Sequence, residues 1–182
     1  MKNLSLKICL VIAALASPVW SETIDDLVER NGKYYLKFTD EGFSGKVEGK
    51  VQGTLKDGDW DGKYTEYHEN GQLRSKGDYK DGKKEGLWES YQDNGQLSSK
   101  MNYKDGKEEG LWESYNKNGQ LWEKGNYQNQ KSEGLWEWYH ENGQLWMKGN
   151  YKDGKEEGLW EYFNEDGTLI RTETYKNGVK VE

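Results

Sequence analysis

The segment Gly86-Leu87-Trp88-Glu89-Ser90-Tyr91-Gln92-Asp93-Asn94-Gly95-Gln96-Leu97 returns 24 residues later as Gly110-Leu111-Trp112-Glu113-Ser114-Tyr115-Asn116-Lys117-Asn118-Gly119-Gln120-Leu121. Further copies start at Gly134 and Gly158, and a looser one at Gly62. A fixed period of this size confines the chain to a stacked architecture, in which each unit buries its face only against its neighbours.

The period can be read position by position. Two residues after the first Gly comes an aromatic (Tyr64, Trp88, Trp112, Trp136, Trp160), and three later another (Tyr67, Tyr91, Tyr115, Tyr139, Phe163). A turn pair follows: Asn70-Gly71, Asn94-Gly95, Asn118-Gly119, Asn142-Gly143 or Asp166-Gly167. A Tyr (Tyr79, Tyr103, Tyr127, Tyr151, Tyr175) closes the second half, and a second pair such as Asp81-Gly82 or Asp105-Gly106 follows; Asn129-Gln130 alone lacks the Gly. Asn-Gly and Asp-Gly between aromatic-bearing runs predict type I′ hairpin turns, with positive φ at both central residues. Neither run is long enough for a helix. The expected fold is all-β: a single elongated antiparallel β-meander of tandem 24-residue hairpin repeats, about a dozen strands with the usual twist.

Residues 1–21 read as a signal peptide. Lys2 and Lys7 make a basic start, Ile8 to Ala16 an apolar core, and Ser17-Pro18-Val19-Trp20-Ser21 a cleavage region, with cleavage expected after Ser21. The apolar run falls well short of the roughly 20 residues that span a bilayer. The chain is therefore expected to be exported, periplasmic or secreted, without stable membrane insertion after cleavage. The single Cys9 lies in this leader, so disulfides do not hold the mature chain. Loss of Lys2 and Lys7 takes the net charge from −7 to −9, which argues against nucleic acid as a partner.

Apolar residues are only 32% of the chain and mean hydropathy is −1.19, values that alone would suggest disorder. Nine Trp and thirteen Tyr reverse that reading, because each buried aromatic removes about 150–250 Å² from water. Stability must come from aromatic packing between repeats. Residues 22–61 divide into a hairpin, Leu27-Val28-Glu29-Arg30 and Lys33-Tyr34-Tyr35-Leu36-Lys37-Phe38 about Asn31-Gly32, and a degenerate repeat from Phe43 to Leu55 that caps the array. Residues 62–182 hold five repeats.

The pattern Gly-x-Trp-x-x-Tyr-x-x-Asn-Gly-x-Leu, followed by Tyr-x-Asp-Gly-Lys, resembles the MORN-repeat variant of many bacterial proteins, over roughly Phe38 to Gly178. Phe43-Ser44-Gly45-Lys46-Val47 looks like the segment that often introduces such arrays. The resemblance implies a β-meander and a protein-interaction scaffold, with no catalytic residue to carry over. Some members are described as antitoxins of a toxin–antitoxin class. An antitoxin meets its toxin in the cytoplasm, so an export leader argues against that role here.

His68 and His140 hold the same place three periods apart, about 29 Å at a strand spacing of 4.8 Å, and cannot share a metal. No metal or other cofactor is expected. The recurring Glu residues form a row, without the facing pair a glycosidase needs. About a two-residue turn, Glu89 lies opposite Lys100, Glu113 opposite Lys124 and Glu137 opposite Lys148, as cross-strand ion pairs. A three-residue turn with a bulge would change the faces.

Aromatics that depart from the repeat mark the candidate surface. Trp122 and Trp146 stand where Arg74, Ser98 and Ile170 stand in other copies, and Trp138 where Ser90 and Ser114 stand. In the two-residue register Tyr115 faces Trp122 and Tyr139 faces Trp146, on the side that carries the Glu–Lys pairs. The sequence thus predicts an exported, non-enzymatic module that binds another protein through Trp122, Trp146, Trp138, Tyr115 and Tyr139. The alternative is a cell-envelope glycan-binding protein that stacks sugars on the same strip.

Overall fold

The computed structural model describes residues 21–181. Its strands are β1 (Ser21–Thr23), β2 (Leu27–Arg30), β3 (Lys33–Leu36), β4 (Gly45–Glu48), β5 (Val51–Lys56), β6 (Asp59–Trp60), β7 (Gly62–Tyr67), β8 (Leu73–Lys80), β9 (Lys83–Tyr91), β10 (Leu97–Lys104), β11 (Lys107–Tyr115), β12 (Leu121–Gln128), β13 (Lys131–Ser132), β14 (Gly134–Tyr139), β15 (Leu145–Lys152), β16 (Lys155–Phe163), β17 (Leu169–Lys176) and β18 (Val179–Lys180). All but β2 and β3 join one meandering sheet in chain order, antiparallel except where β1 runs parallel to β4. The leader read at residues 1–21 lies, but for Ser21, outside the described residues.

The two turn classes differ, and the Asn-Gly ones correct the sequence reading. At the Asp-Gly turns both central residues have positive φ (Asp81 48°, Gly82 75°), the expected type I′ geometry. At the Asn-Gly turns only the Gly does: Gly95 has φ 82°, while Asn94 is not left-handed. There the N–H of Gly95 donates to the Gln92 carbonyl, and the N–H of Gln92 to the Gln96 carbonyl. This is a three-residue loop ending in a left-handed Gly. A one-residue bulge just beyond it, between Leu97 and Ser99, absorbs the extra residue. Glu89, Glu113 and Glu137 therefore still oppose Lys100, Lys124 and Lys148.

The two faces of the sheet do different work. One carries the motif Trp and the closing Tyr, and it is built by glycine on the facing strand. Added Cβ atoms at Gly77, Gly125 and Gly149 would overlap the indoles of Trp88, Trp136 and Trp160 respectively. Each indole thus lies flat over the preceding strand and reaches past it, so Trp88 meets Tyr79 at 4.9 Å and Tyr64 at 5.5 Å between ring centroids. Trp88, Trp136 and Trp160 are buried in this way.

Trp112 breaks the rule. The place of the glycine is taken by Met101, which is itself buried and opposes both Trp88 and Trp112. Denied its seat, Trp112 is only half-buried and, among the described residues, has no ring neighbour. The aromatic face therefore falls into two stacks, Tyr34 to Tyr103 and Tyr127 to Tyr175.

Among the described residues, a compact core lies at the start of the array. Leu27, Phe43, Val47, Leu55 and Trp60 are buried together, with Tyr34 and Leu36 packed against them. β2 and β3 form the predicted Asn31-Gly32 hairpin, but its second strand stops at Leu36, and Phe38 sits in a turn.

Candidate functional site

The opposite face carries the ion pairs. Glu89 has a Lys on each side, Lys76 on the preceding strand and Lys100 on the following one. It pairs with the preceding one: Lys76–Glu89 is 2.8 Å, Lys124–Glu137 2.6 Å and Lys148–Glu161 2.9 Å, with Lys100–Glu113 looser at 3.7 Å. The bridges thus join one repeat to the next, and do not close the hairpin as the sequence reading had them. The same ammonium groups lie 5.6–6.0 Å over the rings of Tyr91, Tyr115, Tyr139 and Phe163. The Tyr115 hydroxyl donates to Glu113 at 2.7 Å, and burial together with that carboxylate pushes its pKa up to about 12.

Trp122 and Trp146 occupy the bulge. Tyr115 opposes Leu121 and Tyr139 opposes Leu145, so neither Trp has the direct cross-strand partner expected of it. A bulge residue is left out of the ladder. That is why the position accepts Arg74, Ser98, Trp122, Trp146 and Ile170, and why the two Trp remain 39% and 37% exposed. Trp146 has one aromatic neighbour, His140, at 6.3 Å. Trp138 is not part of this strip. It lies on the aromatic face, stacked between Trp136 at 5.9 Å and Trp160 at 5.6 Å. The candidates therefore divide: Tyr115 and Tyr139 lie on the ion-paired face, Trp138 belongs to the aromatic packing, and Trp122 and Trp146 stand half-exposed at the bulges beside the Asn-Gly turns.

The sequence reading missed a row of leucines. Leu87, Leu111, Leu135 and Leu159 are each about half exposed. Each precedes the motif Trp, so strand alternation turns it to the ion-paired face. The signal was available, since a residue next to a buried indole must point the other way.

The other polar groups are committed to the frame. The His68 ring bonds the Tyr91 carbonyl and the His140 ring that of Phe163, each at 2.9 Å, tying successive repeats. Carboxylates of Glu85, Glu109, Glu133 and Glu157 accept the backbone N–H of Asp105, Asn129, Asp153 and Asn177 at 2.8–2.9 Å. Lys84 lies over Trp88 at 4.2 Å and Tyr103 at 4.9 Å, and burial lowers its pKa. Burial raises that of Glu123. Among the described residues no group of His, Cys, Asp or Glu is placed to hold a metal ion, and no helix is long and apolar enough to cross a membrane.

Fold and face together define a tandem-repeat β-meander platform. The family model described as MORN repeat variant matches residues 60–81, 84–105, 108–129, 132–153 and 156–177, and the chain belongs to this family. Such repeats are protein-interaction modules. No curated protein matches the chain. A solved structure similar to it in part is the crystal structure of an S. aureus TarM mutant in complex with fondaparinux, alpha-GlcNAc-glycerol and UDP. The identity is 11% and the TM-score 0.30, over 63% of this chain and 21% of that one. The chain thus spans about a fifth of that protein's length, and the likeness carries no argument.

Proposed function

We propose that this chain is an exported, non-enzymatic docking platform that presents its ion-paired face to another protein. The observation that carries the reading is the exposed apolar strip on that face. Leu87, Leu111, Leu135 and Leu159 stand among Lys and Glu side chains that already neutralise one another, and Trp122 and Trp146 are exposed at the bulges that end the same strands. Apolar anchors rimmed by satisfied charge are the pattern of protein interfaces. The non-enzymatic part rests on where the carboxylates go: one row to lysines, the other to turn N–H groups. Export rests on the leader read at residues 1–21.

Trp122 and Trp146, two strands or about 10 Å apart, also support the competing reading of sugar stacking. The test compares the wild-type chain with Trp122→Ser plus Trp146→Ser in capture of exported proteins and in binding to envelope glycans. Protein capture lost in the double variant, at an unchanged melting temperature, supports the platform. Glycan binding lost instead supports the alternative. Capture that survives the double change sinks both assignments to this strip.

A further inference from the structure

We propose that this chain forms a two-fold dimer through its N-terminal loop, Phe38 of each copy entering a cleft beside Phe43 of the other. Phe38 is fully exposed and has a left-handed backbone, φ 68°. It holds the third place of a turn closed by the Thr39 N–H donating to the Leu36 carbonyl at 3.2 Å. A positive φ at that place calls for Gly or Asn, and for a large ring it is strained. Strain of this kind persists where the surroundings fix it, and it clusters at functional contacts.

The surroundings do fix it. The Thr39 hydroxyl also donates to the Leu36 carbonyl, at 3.0 Å. Arg30 donates to Asp40 at 3.0 Å and to the Thr39 carbonyl, with its guanidinium 4.2 Å over the Tyr35 ring. The backbone at Phe38 is thereby fixed with its side chain out in solvent, which lowers the entropy lost on binding.

The same loop borders a cleft of about 580 Å³. Its floor is Leu36 and Phe43, members of the compact core or packed on it, and its rim includes Asp40, Glu41 and Ser44. An aromatic ring placed there extends that core. Knob and hole are adjacent along the chain, so a two-fold axis lets both copies exchange them, as an isologous contact requires. Charge agrees: Lys37 flanks the knob, while Asp40 and Glu41 line the rim. Exchange sets Lys37 of one copy against Glu41 of the other. Both halves of the contact, in shape and in sign, are thus found on this one chain.

Sedimentation of the purified chain tests the proposal. Wild type sediments as a dimer at about 100 µM, well above a micromolar dissociation constant. Phe38→Gly raises that constant at least tenfold, while at a dilution where both chains are monomers its melting temperature holds or rises, because Gly suits the backbone. Lys37→Glu and Glu41→Lys each weaken the dimer, and together they restore it. A monomeric wild type overturns the idea, as does a Phe38→Gly chain that dimerises as well as wild type. So does one that melts earlier at that dilution, since the ring would then support its own fold. None of these results bears on the ion-paired face, which the dimer does not use.

Discussion

At the scale of single residues, the repeats serve as controls for one another. Trp136 is 2% exposed, sits in a glycine seat and touches Tyr127, Trp138 and Tyr151 at 5.2–5.9 Å. Trp136→Ala should therefore cost about 3–5 kcal/mol, the usual penalty for truncating a core Trp. Trp112→Ala should cost clearly less, although both residues hold the same motif position. Chemical denaturation of the two variants checks this, and equal losses would show that the seat is irrelevant. Gly125→Ala should be as harmful as Trp136→Ala, because its methyl would enter the indole. The burial of Trp88, Trp136 and Trp160 was legible from periodicity alone. The displacement of Trp112 was not, although Met101 stood among Gly77, Gly125 and Gly149 in plain view. That difference means something only once the indole is known to lie over the facing strand. In the same way, composition said nothing of Trp122 sitting at a bulge. The turn that creates the bulge keeps Asn94 out of the left-handed region, where Asn-Gly suggested a left-handed residue.

At the scale of the repeat, removal of one unit tests the stacking directly, and the Met101 seam makes the test asymmetric. Each unit contacts only its neighbours, so deletion of any whole 24-residue unit should leave a folded array. Deleting 86–109 takes Met101 away and sets Trp112 over Gly77, an open seat. Deleting 110–133 removes Gly125 and sets Met101 against Trp136, which then loses the seat it now has. The first deletion should accordingly give the higher melting temperature, although the two remove segments of nearly the same sequence. A deletion of half a unit would break the hairpin register and should unfold the chain. Identical melting of the two whole-unit variants would refute the glycine-seat account while leaving the modular one standing. The hairpins, their order and the whole-unit period could be drawn from sequence. The choice of Lys partner could not, because Glu89, Glu113 and Glu137 each stand between two lysines at equal register and side-chain reach decides.

At the scale of the molecule, a long sheet with a small core at its start depends on its rings, and its response to pH should reveal it. On the acid side, Lys180, Tyr175 and Tyr162 donate to Glu173, in the last repeat, and hold its pKa down to about 2 from 4.5. Its folded value is depressed, so its contribution is present above pH 4.5 and is lost as pH falls toward 2. Acid should fray the C-terminal repeat first, and Glu173→Gln should abolish that part of the pH dependence, read by hydrogen exchange in β17.

On the alkaline side the sign reverses. Burial raises the hydroxyls of Tyr34, Tyr64, Tyr79, Tyr103, Tyr127 and Tyr151 above 10.0, Tyr151 to about 12. Raised folded values mean that the neutral rings stabilise the sheet in full below pH 10 and that this support disappears as pH climbs toward 12. Because these tyrosines are packed into two stacks of rings, those within one stack should not titrate singly. Tyrosinate absorbance should lag behind that of free tyrosine, then rise in a steep step that coincides with loss of the tryptophan near-ultraviolet dichroism. Tyrosines that ionise near pH 10 while that dichroism persists would mean that the rings are solvated, and that the glycine-seated indoles alone hold the repeats together.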